Sequence, residues 1–388
     1  MRIGIVGGGP AGLYLALLAK RRDPRREVRV VEQNPPGATY GWGVVFSARA
    51  LSFLAEADPD SWRDVEARLQ TWDDQAIVHR DERVLIDGQA FSGIARLDLL
   101  AVLQAHCGRA GVELHFGRRC EDPADLGDCD LLVGADGAGS AVRERFAAAF
   151  APEVRALDNR YVWYGTARPF PCLTLTFRES SHGAFVAHHY RHAPGASTFV
   201  VECEGATWAR AGLDALDDAA SRRLCEAIFA PELAGEPLLS NGARWTRFRE
   251  VTCRRWRHGR VALIGDALRS VHFSIGSGTR TALEDAIALA SALDRHADPE
   301  HALAAFEAAR RPEAERLLAV AARSARWYER FSDAMALPPV AFAHAYLTRG
   351  GRIDEARLRA RSPGFARRVA AAHAGLADAA KPRQGGGA

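Results

Sequence analysis

The sequence predicts an α/β protein in which a parallel, helix-wrapped sheet is interrupted by a β-rich insertion and closed by a helical C-terminus. Three observations carry this expectation. Residues 2–32 run from a short apolar strand (RIGIV) through a glycine turn and an apolar helix to a second strand (EVRVVE), the pattern of a βαβ unit and so of a parallel sheet. Between about 155 and 255 the texture changes to alternating, β-rich segments at regular spacing, as an antiparallel sheet requires. RVALIGDA then returns to the buried-strand pattern, and from Thr279 the sequence is helical through Phe331.

Each element follows from its residues. Pro10 to about Arg22 places Ala, Leu and Tyr14 at helical spacing, and QNPPGATYGWG is a Pro/Gly-rich loop. Short helices are expected near 47–56 and 60–70, then a strong helix at LDLLAVLQAHCGRAG and a strand at VELHF. CDLLVGADGAGS leads from a buried strand into a turn and helix. YVWYGTARPF, LTLTFRE, GAFVAHHYRH and STFVVECE supply the strands of the insertion. The expected division is 1–154 and 256–330 for the two parts of the nucleotide-binding unit, 155–255 for the β-rich unit, 331–378 for a helical segment, and 379–388 (AAKPRQGGGA) for a disordered tail.

Composition narrows the function. The chain has 388 residues, 48% hydrophobic and 26% charged, with a net charge of +3. That near-balance gives no electrostatic case for nucleic acid. Seven cysteines without C-x-x-C spacing argue against a disulfide scaffold or zinc site and favour a reducing compartment. Neither a secretion leader nor an apolar run long enough for a membrane span is visible, so a cytoplasmic protein that avoids membranes, monomeric or homodimeric, is expected. No H-E-x-x-H element or carboxylate array suggests a metal.

G7-G8-G9-P10-A11-G12 supplies G-x-G-x-x-G between a strand and a helix. The first glycine permits the tight turn, the second lets the backbone approach a pyrophosphate, and the third lets the helix pack on the strand. Gly7, Gly9, Pro10, Ala11 and Gly12 are therefore expected at a dinucleotide, with the helix N-terminus facing its phosphates. Glu32, twenty residues after Gly12, is placed to accept from ribose hydroxyls. This pattern alone does not separate FAD from NAD.

Two further segments separate them. Asp136-Gly137 with Ser140 and Arg143 resembles the D-G-x-x-S-x-x-R element of single-component flavin aromatic hydroxylases, and Gly265-Asp266 follows about 130 residues later, after the β-rich insertion. In this order the three elements resemble the FAD-dependent hydroxylases of the p-hydroxybenzoate hydroxylase superfamily. GWGVVFSARALSFL, WDDQAIVH, HFSIGSGT and LTRGGRI are similar to the branch holding the salicylyl-CoA 5-hydroxylases and 2-aminobenzoyl-CoA monooxygenase. YVWYGT, STFVVEC and HFSIG are also similar to the violacein-pathway hydroxylase. The likeness spans roughly residues 1–370, with departures at Arg269, Arg280 and DEARL.

The resemblance implies bound FAD, reduced by transiently docked NADH or NADPH. It also implies a cycle in which a flavin C4a-hydroperoxide, formed with O2, hydroxylates an electron-rich ring. Asp136, Arg96, Asp266, Gly276 and Gly278 are the further cofactor-binding residues it implies. His272 is the candidate catalytic group, and Trp42, Val45, Tyr164, His188 and Phe273 are the candidate substrate contacts. Because neighbours on a strand face opposite ways, only one of His188 and His189 is expected at the pocket. The implied substrate is an aryl-CoA thioester such as salicylyl-CoA, hydroxylated para to its hydroxyl, or 2-aminobenzoyl-CoA. An indole-type ring is the alternative, and a flavin-bound sensor the non-enzymatic one.

Overall fold

A computed structural model describes residues 1–39, 41–47, 52–120, 126 and 129–379. The opening unit is β1 (Arg2–Val6), α1 (Pro10–Arg22) and β2 (Glu27–Val31), with β1 and β2 parallel and in register from Arg2 opposite Glu27. Helix α2 (Arg96–Ala110) and a short strand at Glu113–His115 follow, and β3 (Leu131–Gly134) pairs with the other side of β1. Leu13, Leu15, Leu17 and Leu18 of α1 are buried, so this helix is apolar all round and lies inside the core rather than on the surface.

The insertion supplies four long strands: β4 (Pro152–Thr166), β5 (Leu173–Ser180), β6 (Gly183–Ala193) and β7 (Ala196–Cys203). They form an eight-stranded sheet with Leu238–Leu239, Thr246–Cys253, Gln75–His79 and Glu82–Ile86. The last two strands come from the N-terminal part of the chain. The sheet is antiparallel except where β5 runs parallel to Gln75–His79. The sequence reading leaves 70–95 without strands, yet Gln70–Trp72 and Phe91–Ala95 also pair, in a three-stranded sheet with Gly43–Ser47. QAIVH is buried throughout, so it lacks the period-2 alternation that marks a half-buried strand.

The chain then returns through β8 (Val261–Leu263), which docks parallel to β3 in the six-stranded sheet. Helix α3 (Gly278–Arg295) and the thirty-residue α4 (Pro299–Tyr328) follow. The C-terminal helices lay Tyr328, Phe331, Phe342 and Tyr346 against Phe177 on one face of the large sheet. The opposite face, with Tyr164 and Phe199, packs on residues of the 205–233 helices. The expected short helices are seen at Ser52–Ala57 and Pro59–Glu66, and residues 48–51 of the first stretch lie outside the described residues, as does the expected tail from 380. Among the described residues no helix is long and apolar enough to cross a membrane.

Candidate active site

A crevice of about 320 Å3 opens at the C-terminal ends of β1, β2, β3 and β8, where ligands of open α/β sheets bind. Gly7 has φ +107°, and a Cβ there would sit 2.3 Å from the Ala135 carbonyl oxygen. A Cβ on Gly12 would come within 2.0 Å of the Gly7 carbonyl oxygen, so only glycine lets α1 close on the turn. Gly9 has nothing within 4 Å of its missing side chain, which leaves its backbone open to the crevice. Gly9, Pro10 and Ala11 line the space, at a helix N-terminus with no acid in its first turn, an arrangement that favours phosphate. Gly12 packs behind them.

Glu32 is held at the same turn. Its Oε2 accepts from the Gly8 amide at 2.7 Å, and its Oε1 from the Asn34 amide at 2.8 Å and side chain at 2.6 Å. Asp136 accepts through Oδ2 from the amides of Ala141 and Val142, at 2.7 and 3.3 Å. Its Oδ1 is buried without a partner among the described residues, and burial raises its carboxyl above the usual range. An orphaned acceptor on the crevice wall, beside glycines that leave room, fits a ligand bearing hydroxyls. These residues therefore fit the dinucleotide the sequence implies.

The motif residues also explain one another. Ser140 caps the short 141–145 helix by accepting from the Arg143 amide. Arg143, buried to 3% exposure, donates to the Ala138 carbonyl at 2.5 Å and the Ala267 carbonyl at 2.9 Å. It thus ties the turn after β3 to the turn after β8. That second turn uses Gly265 at φ +60°, and the Gly265 amide donates to Asp285 of α3 at 3.1 Å. Arg269, unusual for the family in sequence, pairs with Asp285 at 2.6 Å and lies over the Trp256 ring. Arg310 reaches the same carboxylate at 3.2 Å. A buried ion network thus fixes the residue before Asp266.

Asp266 opens onto the crevice while protein surrounds it; this desolvation raises its carboxyl, opposed by Arg96 and Arg269. Arg96 donates to Thr39 at 2.9 Å. Arg96, Asp266, Gly278 and Thr279 line both the crevice and a second, adjoining cavity of about 470 Å3. Gly276 lies in the cavity wall, at φ +57°. The N-terminus of α3, again without an acid in its first turn, ends where the two spaces meet.

The cavity wall follows from strand register. Trp163 of β4 lies opposite Val200 of β7, Val200 opposite His188 of β6, and His188 opposite Leu175 of β5. Directly paired residues share a face, so these four form one row, and all four line the cavity. Tyr161 lies two residues from Trp163 on the same face, with the rings of Phe248 and Phe273 and the aliphatic Val45 completing the enclosure. Phe273 packs on Tyr161 at 4.9 Å between ring centroids.

Register also corrects one expectation. Tyr164 points to the other face, fully buried, with its hydroxyl 3.1 Å from Ser221 Oγ. It cannot share a face with His188, and the next position over, His189, lies with it, 3.0 Å from Thr176 Oγ1. Trp42 covers Gly165 on the cavity's own face of β4, where a Cβ would strike its ring at 2.5 Å, and stands beside the lining residues rather than among them. The indole facing the ligand space is Trp163.

A second correction concerns His272. Its ring is 1% exposed and does not line the cavity. Nδ1 accepts from the Ser274 amide at 3.4 Å, and Nε2 lies 3.4 Å from Glu202 Oε1. Glu202, wholly buried, also accepts from Asn159 at 2.8 Å and lies 3.6 Å from His188 Nε2. Burial alone would raise the Glu202 carboxyl, but the His272 and His188 rings outweigh it and hold it at about 2. Burial pushes His188 down, against the opposing pull of the nearby Glu202 carboxylate. The cavity-facing imidazole is thus kept neutral and backed by a carboxylate. Sequence reasoning missed Glu202. The signal was present: an acid inside the apolar strand STFVVEC must have buried partners.

The FAD-binding domain family matches residues 79–321. The chain is 38% identical over 381 residues to a salicyloyl-CoA 5-hydroxylase from a Streptomyces species, covering 95% of this chain and 73% of the relative. It is 39% identical over 355 residues to the 3-hydroxy-4-methyl-anthranilyl-[aryl-carrier protein] 5-monooxygenase of Streptosporangium sibiricum, covering 91% and 95%. Against the protodeoxyviolaceinate monooxygenase of Chromobacterium violaceum it is 34% identical, covering 89% and 94%. The fold matches that of 2-methyl-3-hydroxypyridine-5-carboxylic acid oxygenase with a TM-score of 0.71 at 19% identity, covering 93% of this chain and 96% of that one.

Proposed function

The chain belongs to the FAD-dependent aromatic monooxygenases, and we propose that it hydroxylates an aromatic ring carried as an acyl thioester and activated by an ortho hydroxyl or amino group. FAD is its cofactor, NAD(P)H is the reductant typical of the family, and its substrate is a small aromatic molecule. The observation that carries the thioester reading is the cavity itself. It shares Asp266 and Thr279 with the crevice, is walled by rings, and is lined as well by Arg349, Arg352 and Arg361. A free ring would need only the ring-walled part. The names of two relatives, on a coenzyme A and an aryl-carrier-protein substrate, support the same reading.

FAD, held in the crevice, would supply the activation of O2, from which the transferred oxygen atom comes. This chain's residues do the rest. Tyr161, Trp163, Phe248 and Phe273 hold the ring and exclude water. Gly7, Gly9, Pro10, Ala11, Gly12, Glu32, Asp136, Arg96 and Asp266 form the cofactor's cradle, and Gly276 and Gly278 let the 272–278 loop approach it. His188, neutral and facing the cavity, takes the proton from the substrate's ortho hydroxyl, or accepts a hydrogen bond from its ortho amino group, as the ring becomes electron-rich. Glu202 stabilises the charge His188 then carries. His272, from behind, positions Glu202. The setting is a reducing cytoplasm, in keeping with seven cysteines that show no C-x-x-C spacing.

The test is a substrate panel under air. Aryl-CoA thioesters with ortho hydroxyl or amino groups are expected to stimulate NAD(P)H oxidation and to yield the para-hydroxylated product, with free acids and indoles weak. Hydroxylation of free acids or indoles alone would sink the thioester reading, and an absence of stimulation by every aromatic would favour the sensor.

A further inference from the structure

The cavity adjoins a second groove of about 320 Å3 lined by α3, α4 and Arg352, with Ser277, Arg280, Val320 and Arg352 lining both. The acids in that groove are already engaged. Glu284 holds Arg280 at 2.7 Å and Arg310 at 2.8 Å, and Glu313 holds Arg310 at 2.9 Å. Arg316, Arg352 and Arg361 also line these spaces, and no carboxylate among the described residues pairs with them. Arg352 sits close enough to Arg280, Arg361 and Arg357 that their charges, after desolvation, lower its own affinity for its proton. Three unneutralised guanidinium groups along a substrate cavity and its adjoining groove are an unfavourable arrangement for the free protein, and an anion relieves it.

The cluster is also held in place. Arg349 spends its donors on the Ser274 carbonyl at 2.7 Å, the Tyr346 carbonyl at 2.6 Å and Ser324 Oγ at 2.9 Å. The Gly350 carbonyl accepts from Arg323 of α4 at 2.9 Å, and Gly351 turns the chain at φ +69°. Arg352 therefore projects from a backbone pinned to α4 and, through Ser274, to the loop beside the flavin crevice. Guanidinium suits phosphate because its planar fork donates two parallel hydrogen bonds.

We infer that Arg352, where the cavity and the groove meet, forms with Arg361 of the cavity and Arg316 of the groove a binding site for the phosphate of a phosphopantetheinyl thioester. This rests on the thioester reading above and gives it an anchor: the phosphate end is held at the groove while the acyl end reaches the rings. Two sources carry this chemistry, coenzyme A and the prosthetic arm of an acyl carrier protein.

The test compares three forms of one aryl group: aryl-CoA, the aryl-loaded carrier protein, and aryl-pantetheine, which has no phosphate. The readout is the ratio of KM for aryl-CoA to KM for aryl-pantetheine, which a general structural defect does not move. In the wild type the ratio is expected well below one and to rise with salt. Arg352→Glu with Arg361→Glu is expected to raise it about tenfold or more, the scale of a lost charged hydrogen bond, and to abolish the salt dependence. Arg352→Lys with Arg361→Lys is expected to fall between. Loss for aryl-CoA alone assigns the site to the nucleotide's phosphates, and loss for the carrier protein as well assigns it to the pantetheine phosphate. If both small thioesters are hydroxylated with the same ratio in variant and wild type, the site is refuted and the thioester reading stands. If only the free aromatic acid is hydroxylated, the thioester reading has failed and takes the site with it.

Discussion

Backbone makes the crevice, whereas side chains make the cavity, although the two share Arg96, Asp266, Gly278 and Thr279. Gly7 and Gly12 are demanded by atoms a few residues or one strand away, at 2.3 and 2.0 Å from where a Cβ would stand. Trp163, Val200, His188 and Leu175 come from four strands and share a wall only because three registers agree. The charged groups differ as well. Asp285 sits between two arginines and serves the fold, while Glu202 sits between two imidazoles, one of which faces the cavity. Damage to the first region should therefore cost stability and cofactor, and damage to the second should cost coupling with the fold intact.

Breaking the crevice side should give the largest effects. Asp285→Ala strands Arg269 and Arg310 and frees the Gly265 amide, and is expected to lower stability by about 3–5 kcal/mol, measured by denaturant unfolding, with loss of FAD. Gly12→Ala drives a Cβ onto the Gly7 carbonyl and should cost about 1–3 kcal/mol, read as a lower flavin-to-protein ratio. On the cavity side, Glu202→Gln should keep FAD but lower coupled hydroxylation about 10- to 100-fold, NAD(P)H consumption going to hydrogen peroxide instead. A Glu202→Gln protein that loses FAD to the same degree as Asp285→Ala would erase the distinction between the two regions.

The same residue gives a pH signature. Glu202 is held at about 2 against an ordinary 4.5, so its contribution to stability is present above pH 4.5 and is lost as pH falls toward 2. Glu202→Gln should flatten the acid limb of the stability profile in that window. The smallest expected effect is that of Tyr164→Phe, about 1 kcal/mol for the lost contact with Ser221, with KM unchanged. A changed KM would place Tyr164 at the ligand after all.

What the sequence made legible follows the same division. The βαβ unit, the glycine turn, Glu32, Asp136 and Asp266 lie in short stretches whose spacing reflects contacts a few residues apart, and the structure brings them to one crevice. The cavity resists such reading because its members are chosen by register. Phe273, Val45 and His188 lie on its wall; Tyr164, one position from Trp163, lies on the other face; Trp42 lies over Gly165. His272 stood out by its place in the GD loop, but the residue that gives it meaning, Glu202, is 70 positions away. The strands at 75–86 escaped because the first is buried on both faces.

β3 and β8 are neighbours in the six-stranded sheet and yet are separated by the whole insertion. Their pairing closes a loop of more than a hundred residues, a slow event in a folding chain. Arg143 meets Ala267 only once that closure is made. A refolding chain should therefore build its N-terminal sheet and its insertion first and acquire flavin binding last. The rate at which flavin fluorescence changes during refolding would then time the arrival of the final strand, with the cofactor acting as a reporter of sheet closure.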